Sequence, residues 1–265
     1  MPGNPISRLS SKRTLIALLI LGLLAVPAIG LAWFFGRTAP EEVSLEAIQA
    51  AIPATTSTDP VPPSTESTAG STSTTANDAG GISGTWTVDT SLGSFSFEEA
   101  TASFVGFRIE EELSGIGSNT AVGRTPEVSG TLQIEGTTVT AATVEADLTA
   151  LVSNDSRRDG RIQQALETGQ HPSATFVLTE PIELGDVPQE GEPLSMTALG
   201  DLSIHGVTNS VAFQLEAQLT DGMILVVGST DLVFDDYQVR VPSAPIVLSV
   251  EDHGIVELQL WFTGG

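Results

Sequence analysis

Cysteine is absent from the 265 residues, lysine occurs once, at Lys12, and ten basic residues face 33 acids for a formal charge of −23. Without cysteine there is no disulfide, no thiolate metal ligand, no cysteine nucleophile and no lipidated N-terminal cysteine, so any membrane attachment rests on apolar residues. Without clustered Lys and Arg there is no footprint for a phosphate backbone, which argues against nucleic acid as a partner. Catalytic signatures are also missing: the chain has no HExxH, no GxSxG elbow and no GxxxxGK[ST] loop. Gly115-Ile116-Gly117 lacks the third glycine of a dinucleotide fingerprint. Glu110-Glu111-Glu112 and Asp235-Asp236 have no EF-hand spacing around them and read as solvated faces. The three histidines, His171, His205 and His253, each stand beside a turn residue, and a zinc or catalytic role would require them to converge. No enzyme, metal site or cofactor is expected.

Long hydrophobic runs are scarce, with one exception. Leu15 to Phe35 are 21 consecutive uncharged, mostly apolar residues, roughly 30 Å as a helix and enough to cross a bilayer. Arg8, Lys12 and Arg13 precede the run, while Arg37 alone follows closely before Glu41, Glu42 and Glu46. The positive-inside bias therefore predicts a cytoplasmic N-terminus at 1–14, a transmembrane anchor at 15–35 and an extracytoplasmic remainder on a single-pass cell-membrane protein. A cleaved signal peptide is the competing reading, against which stand the length of the run and its Trp33-Phe34-Phe35 ending. From 36 to 83 the chain reads as a linker. Residues 41–52 suggest a short, ordinary solvated helix, and from Ala54 to Ala79, 13 of 26 residues are Ser or Thr. That stretch has too little apolar surface to offset its ordering entropy. A coil of this length would hold the following domain on the order of 40 Å from the membrane.

Residues 84–265 carry six arginines against 27 acids, and their pattern has period two. Val128, Gly130, Leu132 and Ile134 oppose Glu127, Ser129, Thr131 and Gln133. The Glu135-Gly136 turn leads into Ala142, Val144, Ala146, Leu148, Ala150 and Val152 against Thr143, Glu145, Asp147 and Thr149. The alternation returns in Val211 to Leu219 and again in Val256 to Phe262, where Glu257 and Gln259 fall on the polar side. Eight or more antiparallel strands are predicted, interrupted by one helix at 156–168 that Asn154, Asp155 or Ser156 can cap and Gly169 and Pro172 end. Such strands close over their apolar side as a barrel or a sandwich. The small inward Gly130, Ala142, Ala146 and Ala150 favour a hollow barrel, tight sheet packing being the alternative.

Five motifs follow one another in order over about 85 to 263: Gly84-Thr85-Trp86-Thr87-Val88-Asp89, Phe104-Val105-Gly106-Phe107-Arg108 to Leu113, Arg157-Arg158-Asp159 with Ile162, His171-Pro172-Ser173-Ala174-Thr175-Phe176, and Gly200-Asp201-Leu202-Ser203-Ile204-His205-Gly206-Val207-Thr208 with Val211. In that order they resemble the opening strand, second strand, helix start, following strand and glycine-valine-threonine hairpin of the YceI-like family of secreted, lipocalin-like lipid-binding proteins. Where that family often has an aromatic pair in the helix block, this chain has Gln164, Ala165, Leu166 and Glu167. The resemblance implies an all-β fold, an extended eight-stranded antiparallel barrel with one capping helix, holding a long polyisoprenoid or similar apolar lipid, without enzyme activity. Alternation selects Phe104, Val144, Leu148, Phe176, Leu202, Phe213, Leu215, Leu248 and Leu258 as inward candidates, each of which is also what a plain core looks like, and core packing is the better reading of any single one. Arg157, Arg158 and Arg161 hold half of this region's arginines within five residues. Arg157 and Arg161, at i and i+4, are candidates for a lipid headgroup, with pairing to nearby acids the alternative. The other function class compatible with the pattern is an adhesion or scaffold domain on a stalk, without cargo. Either is compatible with a homodimer.

Overall fold

A computed structural model describes residues 39–51, 81–98, 100–241 and 245–264. The apolar run at 15–35 and the Ser/Thr-rich stretch lie outside them. Among the described residues no helix is long and apolar enough to cross a membrane. The period-two segments form strands: β1 (Gly84–Val88), β2 (Phe104–Leu113), β3 (Gly117–Thr125), β4 (Val128–Glu135), β5 (Thr138–Asp147), β6 (Val152–Ser153), β7 (Ser173–Leu178), β8 (Ile182–Glu183), β9 (Pro193–Ile204), β10 (Val207–Thr220), β11 (Met223–Val233), β12 (Val247–Val250) and β13 (His253–Gly264). Among the described residues two α-helices accompany them, α1 (Leu45–Ala51) and α2 (Ser156–Ala165).

Eight of these strands close a ring in the order β1-β4-β5-β7-β9-β10-β11-β13, with β13 returning to β1 through Trp86 opposite Gly264 and Val88 opposite Phe262. All these pairings are antiparallel, and the β13–β1 pairing closes the sheet on itself, a barrel rather than a sandwich. β2 pairs with the first half of β13 and carries β3 and β12 beside the ring. Register places the β4–β5, β10–β11 and β8–β9 connections at one end, here called the hairpin end. The β9–β10 turn, α2 and the 3-10 turn Phe234–Tyr237 lie at the other. The turns follow their residues: Asp221-Gly222 and His205-Gly206 place both central residues at positive φ, the geometry of a two-residue hairpin. α2 starts at Asp155, whose carboxylate accepts from the Arg157 backbone N–H, and buries Ile162 against Leu148 and Leu151.

Two features depart from a strand-by-strand reading. The first is β13, whose polar face is not solvated. Glu257 is 1% exposed, and its Oε1 accepts from Arg124 Nε at 3.0 Å and Nη2 at 2.9 Å. Arg108 Nη1 lies 3.6 Å from Oε2. Gln259 Nε2 donates to the carbonyls of Ala100 and Ala102, and Trp261 Nε1 to that of Thr101. The connection from β1 to β2 thus lies over the outer face of β13 and supplies the carbonyls that accept from Gln259 and Trp261.

The second is the stretch at 39–51. The solvated helix expected there is instead a strap on the barrel wall: Leu45 and Ile48, each 4% exposed, pack against Leu225, Val227 and Trp261. Its backbone carbonyls complete the arginines' partners, with Arg108 donating to Pro40 and Glu41 and Arg124 to Glu41. Gln49 Nε2 donates to Gln218 Oε1 at 2.6 Å. Glu41, Glu42 and Glu46 remain exposed, so the acidic face is solvated while the apolar one is docked. Part of the linker expected over 36–83 is therefore folded.

Burial pulls the Arg124 guanidinium below its ordinary value, and the Glu257 charge opposes this. Removing one member of a buried pair strands the other, at a cost of about 3–5 kcal/mol. Arg124→Met should accordingly lower unfolding stability by about that much, and adding Glu257→Leu should restore a large part of it. Urea unfolding of the two variants measures both. A double variant no more stable than the single one would mean that the pair is not what Arg124 supports.

Candidate functional site

The inner wall follows directly from alternation. Leu132 and Ile134 of β4, Phe176 and Leu178 of β7, Leu194, Met196 and Ala198 of β9, Phe213, Leu215, Ala217 and Leu219 of β10, Ile224 and Val226 of β11, and Leu258, Leu260 and Phe262 of β13 all face one cavity. In β5 the spacing breaks: Val139, Ala142 and Val144 line it, because a bulge opposite Gln133 and Ile134 inserts one extra residue. The cavity spans about 930 Å³ of atom-free space, its mouth and adjoining solvent included. Its walls reach the hairpin end at Ile82, Leu184 and Pro188. Toward the other end the barrel is solid, filled by Ala198, Leu202, Phe213, Leu232, Phe234 and Tyr237.

The floor is set by two aromatics. Phe176 and Phe213 meet edge-to-face, ring centres 5.3 Å apart, and Phe176 lies over Gly200, where a Cβ would approach its ring to 2.3 Å. Apart from Gln218 the lining is apolar, and Gln218 is already engaged with Gln49 and the Gly191 carbonyl. Small side chains at Ala142 and Ala217 widen the middle. A wall of this kind offers no acid, base or nucleophile. Its chemistry suits apolar ligands.

Of the nine inward candidates, Val144, Phe176, Phe213, Leu215 and Leu258 are on this wall. The other four are elsewhere. Phe104 faces outward under the β1–β2 connection, beneath the Arg124 guanidinium at 4.5 Å. Leu148 packs with Leu151 and Ile162 beside α2, and Leu202 belongs to the solid half. Leu248 is 66% exposed on β12. Alternation ranks the faces of a strand without saying whether a second layer covers the outer one, and three of these four follow from that or from the barrel being filled at one end. Sequence reading missed Ile82, Leu184 and Pro188, which lie in short connections where periodicity gives no signal.

The arginine cluster is on α2, at the end opposite the hairpins. Arg157 pairs with Asp155 at 3.1 Å, and Arg158 with Glu111 and the Asn154 side chain. Arg157 and Arg161 are exposed, and neither lines the cavity. Two of the histidines do converge. His171 and His205 meet edge-to-face at 5.3 Å, with Glu167 Oε2 at 3.7 Å from His205 Nε2 and the Tyr237 carbonyl at 3.1 Å from Nδ1. Gly206 has no Cβ where His171 packs. His253 stands apart beside Asp252, whose hydrogen bond raises its pKa. Among the described residues the groups within reach of one metal ion are Glu251, Asp252 and His253, all exposed.

A closed eight-stranded barrel with a capping helix and an apolar interior is the architecture that the sequence motifs implied. The model of the YceI-like domain family matches residues 86–262. The chain belongs to the YceI-like family. Among solved structures it is similar to a polyisoprenoid binding domain from Saccharophagus degradans implicated in plant cell wall breakdown. The two share 19% identity and a TM-score of 0.51 over 68% of this chain and 98% of that one, a likeness of fold. Burkholderia cenocepacia BcnA matches at 14% identity and a TM-score of 0.47 over 66% of this chain and 98% of its own. A Campylobacter jejuni YceI protein matches at 16% and 0.42, over 52% of this chain and 82% of its own. Comparison with curated proteins gives no match.

The helix cap of this YceI-like domain titrates. Burial works to raise the Asp155 carboxyl, but hydrogen bonds from the Arg157 side chain and backbone, with the charges of Arg157 and Arg158, hold it below the ordinary aspartate value. A carboxyl so depressed stabilises the fold above its unfolded pKa and loses that contribution as pH falls through the folded one. Asp155→Ala should cost about 1 kcal/mol at pH 7, and the gap to wild type should narrow in acid. Urea unfolding at both pH values checks it; a gap unchanged in acid would show that the charged cap contributes nothing.

Proposed function

We propose that this protein binds a long apolar lipid chain, a polyisoprenoid or similar, in the barrel cavity, outside the cytoplasm and on a membrane anchor formed by residues 15–35. The observation that carries the binding half is the cavity itself: a pocket inside a closed barrel, with its one polar lining side chain already bonded within the protein. Each buried methylene contributes about 0.8 kcal/mol, so a chain of ten or more carbons needs no polar contact to be held. Family membership and the polyisoprenoid-binding relative support the same class of ligand. Recognition on this reading is by width and length, set by Ala142 and Ala217 along the wall and by Phe176 and Phe213 at the floor.

Ala217→Trp tests it. The new ring should occupy the space of the chain, abolishing uptake of a fluorescent polyprenol while the melting temperature moves little, because the cavity absorbs the added volume. A large fall in stability with uptake retained would mean that Ala217 packs a solid core and that the chain, if bound, lies elsewhere.

The anchor half is supported by the length of the apolar run and its flanking charges. On this reading the strap, through Leu45 and Ile48, holds the barrel to the anchor. Proteolysis within 52–80 should then leave the barrel in the membrane fraction, held through Leu45 and Ile48, and Leu45→Asp with Ile48→Asp should release it after the same cut. Release of the cut wild-type barrel would contradict the strap. An uncut chain absent from the membrane fraction would contradict the anchor.

A further inference from the structure

We infer that the cavity discriminates by head group, admitting apolar chains with a neutral or cationic head and disfavouring those ending in phosphate. This deepens the lipid-binding reading and rests on it. The mouth lies at the hairpin end, where the connection from β8 to β9 crosses from one turn to the next: Leu184 N–H donates to the Thr137 carbonyl and Gly191 N–H to that of Leu219, with Leu184 and Pro188 on the cavity wall. This rim carries exposed carboxylates at Glu135, Glu183, Asp186, Glu190, Glu192 and Asp221.

Among the described residues no cation offsets them. The segments that build the open half, 81–98, 129–147, 178–198, 213–226 and 258–264, contain no Lys, Arg or His. All six arginines of the outer domain are placed elsewhere. Arg108 and Arg124 are bonded to Glu257 and the strap on the outer wall. Arg157, Arg158 and Arg161 are on α2, and Arg240 follows the 3-10 turn, all at the filled end. A chain inserted tail-first leaves its head at the rim. A phosphate there meets exposed carboxylates and no guanidinium from these segments, whereas an alcohol is indifferent and an amine is attracted. A headgroup site at Arg157 and Arg161 would require the chain to pass through the Phe176–Phe213 floor and the solid cluster below it.

Competition measures this directly. The full-length chain in phosphatidylcholine nanodiscs is crosslinked to a diazirine-bearing long-chain alcohol, and geranylgeraniol, its monophosphate and its amine compete, with empty nanodiscs correcting for partition. At low ionic strength the phosphate should compete about tenfold more weakly than the alcohol and the amine at least as well, the gap closing in 0.5 M salt as screening shortens the field. Asp186→Lys with Glu192→Lys should remove or invert the preference. Asp235→Lys with Asp236→Lys, the same charge change at the filled end, should leave it intact. A phosphate that competes as well as the alcohol at low salt, or a preference untouched by the rim reversal, would overturn the inference. Failure of geranylgeraniol itself to compete would overturn the cavity reading beneath it, so the two failures are distinct.

Discussion

The carboxylate of Glu257, buried on the outer face of β13, is the constraint around which the rest of the molecule is arranged. An ionised group out of water must be paired and hydrogen-bonded, and here the pairing comes from β3 through Arg124 and from β2 through Arg108. Those guanidinium groups have donors left over, which reach the carbonyls of Pro40, Glu41 and Phe97. One acid thus ties together three strands, the strap and the β1–β2 connection. β13 is consequently buried on both faces, and its inner face, Leu258, Leu260 and Phe262, is cavity wall. The outer face of this side of the barrel is therefore covered rather than solvated.

The same arrangement explains how far the fold could be read from the chain. Period-two alternation states which residues share a face, and it placed Val144, Phe176, Phe213, Leu215 and Leu258 together on the inner one. It does not state what the other face meets. Glu257 and Gln259 alternate like solvent-facing residues because their partners are distant: Arg124 from another strand and the carbonyls of Ala100 and Ala102 from an irregular connection. Phe104 looked inward for the same reason, being apolar on a face that a second layer covers. The strap is the other instance. Leu45 and Ile48 stand three residues apart, as on one side of a helix, but their dock is more than 170 residues away in sequence, and nothing local encodes it. The bulge in β5 hides a residue of register in a run of threonines and alanines, so Val139 escaped notice although its neighbours did not.

Function divides along the barrel axis. The half toward α2 is filled, and it holds what irregular chemistry the domain has: the His171–His205 contact, the capping Asp155, the arginine cluster. The half toward the hairpins is hollow, and its walls are hydrocarbon under a rim of acids. Recognition by an apolar wall is non-directional, so selectivity has to come from where the walls stop, which the Phe176–Phe213 contact fixes at the floor, and from what surrounds the opening. The overall charge of −23 is in this light distributed with consequence. The six arginines of the barrel domain lie away from the mouth, Arg108, Arg124, Arg157 and Arg158 of them in ion pairs, leaving exposed acids around the opening.

The measurement that bears most directly on all of this is native mass spectrometry, with organic extraction, of the full-length chain isolated from the cells that make it. A cargo-binding barrel predicts one long-chain lipid per protein, surviving as a mass adduct and recovered in the organic phase, with a neutral or amine-bearing head. An adduct-free mass and an extract without any stoichiometric chain would contradict it, and would leave a barrel whose hollow half serves no cargo.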